Sequence, residues 1–277
     1  MKSLYTIPFF LWSYFGYAQT TGSSLSSPYT QIGTYSKNFT DAFSGVTNQA
    51  LLAEISTGAA GIYGERRFML KELSSYAGAI VLPSGLGGFG IAIQYFGGAD
   101  FSTSQTGIGY GRKLSDKIDI GIQFNYNNIK LAGYGSSGNV NFELGTLWHI
   151  TDKFHWGIHV YNPAGGRFGK DNSEKLAAIY ETGIGYEASD RFFISAEIIR
   201  EEDQPVNINI GLQYNFATQF LARAGISTGT GNYFFGLGLK WKVCRMDIVT
   251  TYHPQLGFTP GLMLLFNFKE KKEQREE

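Results

Sequence analysis

The chain has 277 residues, with 23 basic and 23 acidic side chains and a formal charge of zero. That balance, with no basic stripe anywhere along the chain, argues against nucleic acid as a partner. Glycine (36), tyrosine (17) and phenylalanine (22) are abundant while proline (7) is scarce, which points to an all-β chain.

The opening "MKSLYTIPFFLWSYFGYA" places Lys2 before an apolar run from Leu4 to Phe15, then small Gly16 and Ala18. This predicts a secretory signal peptide over 1–18, with Gln19 as the new N-terminus; the run is too short for a membrane helix. The single cysteine, Cys244, leaves no internal disulfide to expect. Residues 19–58 do not alternate. "TTGSSLSSPYTQIG" reads as loop, and "TDAFSGVTNQALLAEIST" predicts a short helix near Asn48–Ile55. This is expected to be a plug-like segment, lying either in a lumen or on the periplasmic side.

From Ala59 the pattern changes. In "KLSDKIDIGIQFNYN" (113–127), Ile118, Ile120, Ile122, Phe124 and Tyr126 alternate with Asp119, Gly121, Gln123 and Asn125. Strict alternation makes a strand with one oily and one polar face. Comparable stretches fall at 59–69, 74–83, 88–97, 102–113, 117–128, 138–150, 154–162, 177–188, 191–200, 205–216, 219–228, 232–243, 244–253 and 257–268. They make about fourteen strands, an even number, many near the roughly 9–11 residues of a tilted membrane strand.

The turn in "KLSDKIDIGI" is echoed by "HITDKFHWGI" (149–158), "YEASDRFFISA" (186–196) and "YNFATQFLARA" (214–224). Ser115-Asp116, Thr151-Asp152 and Ser189-Asp190 form such turns because their side chains bond the local backbone. The other connections, at 132–139, 162–175, 200–205, 227–232 and 252–257, read as longer loops. Short turns at one end and longer loops at the other are the asymmetry of an outer-membrane barrel.

The faces decide the medium. The oily sets include Phe154/Trp156/Ile158/Val160, Val206/Ile208/Ile210/Leu212/Tyr214/Phe216, Tyr233/Phe235/Leu237/Leu239/Trp241 and Phe258/Leu262/Leu264/Phe266/Phe268. Turned inward, they could not fill a barrel of this width. Residues 59–268 are therefore expected to form an all-β, transmembrane, up-and-down antiparallel barrel. Its oily face meets outer-membrane lipid, both termini are periplasmic, and 269–277 is a charged periplasmic tail.

The inward face combines glycines with charges. Gly121, Gly157, Gly183, Gly185, Gly211, Gly236 and Gly238 leave room for another backbone, which favours the lumen for residues 19–58. Glu65, Arg67, Asp119, Glu143, Glu181, Glu197, Arg223, Lys240, Arg245 and Asp247 are candidate lumen-lining residues. Such charges either line a solute path or pair with one another and with a plug, and pairing is the expectation. His155 and His159 are four apart on one strand, roughly 13 Å, too far to share a metal. His149 approaches His155 across the turn, where hydrogen bonding is expected rather than a metal. "GLGGFG" (85–90) precedes an alternating strand, not a helix, and reads as a turn rather than a nucleotide loop. No nucleophile–base set stands apart from this polarity, so neither catalysis nor a cofactor is expected.

Gly211–Tyr214 ("GLQY"), Leu221–Gly225 ("LARAG"), Gly236–Leu239 ("GLGL"), Asp247 and Leu256–Pro260 ("LGFTP") resemble the PorV/PorQ family of Bacteroidota outer-membrane barrels. "NQALLAEI" (48–55) resembles that family's segment before the first strand, with Gln49 replacing its usual proline. The family is distantly related to the FadL fatty-acid transporters. The resemblance implies a 14-stranded barrel acting as an accessory subunit that docks to a larger, type IX-like secretion or assembly complex, with other outer-membrane or periplasmic proteins as partners. The alternative it implies is a FadL-like channel taking up small hydrophobic molecules. A channel needs an apolar pocket and a gap or kink in a strand, for which Pro163, Pro205 and Pro260 are the candidates.

Overall fold

The computed structural model describes residues 27–168, 174–229 and 231–268. The signal peptide expected over 1–18 and the tail over 269–277 lie outside these residues. The strands are β1 (Ala59–Arg66), β2 (Ser74–Ser84), β3 (Gly87–Gly97), β4 (Phe101–Ser115), β5 (Ile118–Leu131), β6 (Gly135–His149) and β7 (Phe154–Tyr161). A two-residue hairpin follows, β8 (Arg167–Phe168) with β9 (Glu174–Lys175). Then come β10 (Ile179–Ser189), β11 (Phe192–Glu201), β12 (Asn207–Tyr214), β13 (Phe220–Ser227), β14 (Asn232–Trp241), β15 (Cys244–His253) and β16 (Gly257–Asn267). Apart from the hairpin, every strand pairs antiparallel with its neighbours, and β1 closes on β16 through Ala59↔Asn267 to Glu65↔Gly261. The result is a closed barrel of fourteen strands, each overlapping one of the fourteen sequence stretches.

Closure removes both sheet edges, so the backbone of the wall is satisfied within the wall. The side chains alternate as the pattern requires. On β12, Ile208, Ile210, Leu212 and Tyr214 are exposed on the outside, while Asn209 and Gln213 are buried inside. β5 and β14 do the same with Phe124 and Tyr126, and with Tyr233, Phe235, Leu237 and Leu239. An apolar belt around the whole outer wall makes this a membrane barrel.

Two expectations are corrected. β1 stops at Arg66 rather than Met69, because Phe68 (φ 53°) and Met69 (φ 64°) turn left-handed. The loop expected at 132–139 is mostly strand, since β5 and β6 stay paired from Leu131↔Gly135 onward. Gly138 permits this, because a Cβ there would strike the Tyr126 ring. The asymmetry between the barrel ends is consequently narrower than expected. Only 67–73 and 162–178 are long connections at the end opposite the short turns.

Ahead of β1, α1 (Pro28–Gln31) runs into a 3-10 turn (Ile32–Tyr35), and α2 (Ala42–Thr47) into another (Gln49–Glu54). The short helix expected near Asn48–Ile55 is the 3-10 turn Gln49–Glu54, and α2 is a separate helix before it. Asp41 accepts from the Phe43 and Ser44 amides and forms a reciprocal capping box with Ser44, fixing the start of α2. Asn48 ends it and caps the next turn by accepting from the Ala50 amide.

Candidate functional site

The inward face of the wall meets residues 27–57 along two different surfaces. On one side Ala59, Tyr63, Ala79, Val81, Ala92, Phe234, Val249, Met263 and Leu265 cluster with Tyr29, Ile32, Phe43, Val46 and Leu52 of the segment. All are nearly inaccessible to solvent. Each buried large side chain of this kind contributes about 1.5–3 kcal/mol relative to its exposed state. Where the wall carries glycine, the segment's backbone comes closest: a Cβ on Gly185 would overlap the Tyr35 carbonyl, and one on Gly121 the Gln49 backbone. Gly157 and Gly183 face the Tyr35 ring, Gly236 the Tyr29 ring and Gly211 Ile32. Gly238 differs, since its inner neighbours are the wall's own Asp247 and Leu221.

The other side is polar. Glu143 accepts from Gln49 Nε2 (2.9 Å), Gln105 Nε2 (3.1 Å) and Asn125 Nδ2 (2.6 Å). His159 lies between it and Glu181, each ring nitrogen 2.9 Å from a carboxylate oxygen. Glu197 accepts from Tyr35 Oη at 2.7 Å and Asn209 Nδ2 at 3.2 Å. Burial, and then the carboxylates beside it, push the Tyr35 hydroxyl well above its ordinary range, so it stays a donor. Glu187 accepts from Ser36 Oγ and the Lys37 amide, both at 2.7 Å. Beside this wall lies a polar cavity between Thr47, Gln94, Gln105, Gln123, Glu143 and Glu181.

The remaining charged residues from the sequence fall into separate groups. Arg223, fully buried, donates to Gln213 (2.7 Å), to the Tyr29 carbonyl (3.4 Å) and to Asp41 (3.0 Å). Arg245 pairs with Asp247, whose other contact is Tyr29 Oη at 2.8 Å. Glu65 accepts from Tyr63 Oη and from Arg67 Nε. Arg67 itself sits in the turn after β1, its guanidinium 5.2 Å from the centre of the Phe96 ring, rather than on an inward strand position. Lys240 Nζ reaches Asn215 Oδ1 at 3.5 Å.

Sequence reasoning missed Glu54. It lies at the end of its 3-10 turn, where Lys113 Nζ is 2.9 Å and His149 Nε2 3.5 Å from its Oε1. Burial opposes its charge, but hydrogen bonds from His149 and Lys113 outweigh burial and hold its pKa at about 2. At the opposite end, Tyr161, Phe168, Leu176 and Ile179 form an apolar cluster with Ile129 and Ile199. Phe168 and Leu176 come from the connection between β7 and β10, whose composition gave no sign that they are buried. Among the prolines, Pro163 and Pro205 lie outside the strands, and Pro260 sits in an unbroken ladder opposite Thr250.

No family model and no curated protein matches the chain. Solved structures do. The toluene transporter TodX of Pseudomonas putida superposes with a TM-score of 0.63 at 11% identity, covering 89% of this chain and 98% of its own. The Ralstonia pickettii toluene transporter TbuX gives 0.58 at 12%, covering 82% and 92%. A FadL homologue of Pseudomonas aeruginosa gives 0.57 at 11%, covering 90% and 97%. The fold is that of the FadL-type outer-membrane barrels, and it places the chain in the outer membrane. The likeness in fold to FadL-type barrels is the part of the sequence resemblance that these structures bear on.

Proposed function

We propose that this chain is a transport barrel that takes up small apolar solutes, with residues 19–58 as its plug. The observation that carries the reading is the apolar cluster of Ile129, Tyr161, Phe168, Leu176, Ile179 and Ile199 at the long-loop end of the barrel. An apolar patch at the long-loop mouth of the barrel gives such a solute a first resting place out of water. The FadL-type fold supports the same reading. It favours the FadL-like alternative over the secretion subunit that the PorV/PorQ resemblance implied.

The test uses purified barrel in planar bilayers and in detergent. The intact protein should carry little steady conductance, and deletion of 19–57 should open a pore, because fourteen strands enclose more space than their side chains fill. N-phenylnaphthylamine should bind the intact protein with a fluorescence rise, and Phe168→Asp should abolish it. A large conductance from the intact chain would remove the plug. Probe binding indifferent to Phe168→Asp would remove the apolar entry site.

A further inference from the structure

At the short-turn end of the polar wall, three side chains converge from three elements. Glu54 comes from the turn before β1, Asp119 from the start of β5 and His149 from the end of β6. One ligand atom from each lies within 4.8 Å of the other two. His149 Nε2 is 2.8 Å from Asp119 Oδ2 and 3.5 Å from Glu54 Oε1. Asp119 is fully buried, yet its Oδ1 has no hydrogen-bond partner. A buried carboxylate oxygen left unpaired is expensive, and it is the kind of atom a cation satisfies.

We propose that Glu54, Asp119 and His149 bind one divalent transition-metal ion, of the zinc or manganese class, and that this ion clamps the end of the N-terminal segment to the barrel wall. One imidazole with two carboxylates suits these ions, and three protein ligands leave a position for water. With metal–ligand bonds of about 2.1 Å, tetrahedral ligands stand about 3.4 Å apart, so the His149–Asp119 pair at 2.8 Å opens by roughly 0.6 Å, and the His149–Glu54 pair at 3.5 Å already fits. As the ion binds, any proton on His149 Nε2 leaves to solvent. The other nitrogen is already oriented: His149 Nδ1 is 2.9 Å from His155 Nδ1, and His155 Nε2 is 3.4 Å from Glu187. Such outer partners fix the tautomer and direction of a ligand histidine. Two cations oppose the ion. Lys113 Nζ holds Glu54 Oε1 at 2.9 Å and Lys37 Nζ lies 3.8 Å from Oε2, but both side chains are about half exposed and free to swing to water.

The full barrel, stripped with EDTA in detergent, is titrated calorimetrically with zinc chloride and manganese chloride, with magnesium chloride as the comparison. One zinc per chain should bind with proton release, and hydrogen exchange of the 49–57 amides should slow. Glu54→Gln and His149→Gln should each weaken binding by about tenfold or more, the scale that even outer-shell losses reach. Lys113→Met removes the competitor and should tighten binding without disturbing the wall, so it decides the matter even if both ligand variants misfold. His253→Ala, at the half-buried last residue of β15 and the opposite end of the barrel, should change nothing. No saturable zinc uptake by either the native chain or Lys113→Met would overturn the proposal. So would binding that survives both ligand changes and falls with His253→Ala.

Discussion

The two sides of the lumen hold the same segment by different physics. Around β1, β2 and β16 the contact is mainly apolar and close-packed, with Val81, Met263, Leu265 and Leu52 almost fully buried, and on β15 Asp247 adds a hydrogen bond from Tyr29. Contacts of this kind are strong but weakly directional, and any side chain of similar volume would serve. Around β5–β7 and β10–β12 the contact is a web of carboxylates, imidazoles and amides. Each distance there is set by a hydrogen bond, and each loss strands a buried polar group. The apolar side supplies adhesion; the polar side fixes register. A segment held this way has one docked position, because sliding it would keep much of the burial but break the whole web.

The sharpest way to break the contrast is His159→Leu. It leaves Glu143 and Glu181 facing each other without the group that joins them. Removing one partner from a buried ionic set costs about 3–5 kcal/mol. Urea unfolding in detergent should show this loss, with faster hydrogen exchange at Gln49, which also bonds Glu143. A loss smaller than that of an apolar-side truncation would mean that the web is incidental to how the segment is held.

The apolar side is probed by Leu52→Ala. Leu52 is fully buried, and its side chain lies against Gly90 and Gly45. Truncating a buried leucine costs about 2–5 kcal/mol through lost burial and the cavity left behind. Exchange should rise across 42–54 while the strand ladders stay protected. If the ladders loosen equally, the segment and the wall form one cooperative unit and the division between the two sides fails.

This division also marks how far the sequence could be read. The barrel was legible because the strand signal has a period of two and is local: Ile208, Ile210 and Leu212 identify the outer face without reference to any other strand. The inward glycines were legible for a similar reason, since an oily outer neighbour on each side leaves their direction in no doubt. What joins the polar side was not legible. The Tyr35–Glu197 bond spans 162 residues and Gln49–Glu143 spans 94, and neither end carries a mark that selects its partner among a dozen similar groups. Gln49 itself looked like a departure from a family proline, whereas its amide is one of the donors that satisfy Glu143. The burial of Phe168 and Leu176 escaped notice because Gly- and Asn-rich composition says where a chain bends and nothing about which way it then goes.

The smallest expected effect isolates register from adhesion. Tyr35→Phe keeps the ring that packs against Gly157 and Gly183 and removes only the hydroxyl that donates to Glu197 at 2.7 Å. A hydrogen bond to a charged group contributes about 1.5–3 kcal/mol, and Asn209 remains to take part of the load. Because the apolar packing is unchanged, the loss should fall on the segment rather than the wall: exchange of the 32–39 amides should quicken while the urea midpoint of the barrel moves little. Pairing the change with Glu197→Gln completes a double-mutant cycle, and the two losses should be markedly less than additive if the bond is what they share. Additive losses would mean that Tyr35 is held by its ring alone, and the polar side would then fix register through Glu143 and Glu187 instead.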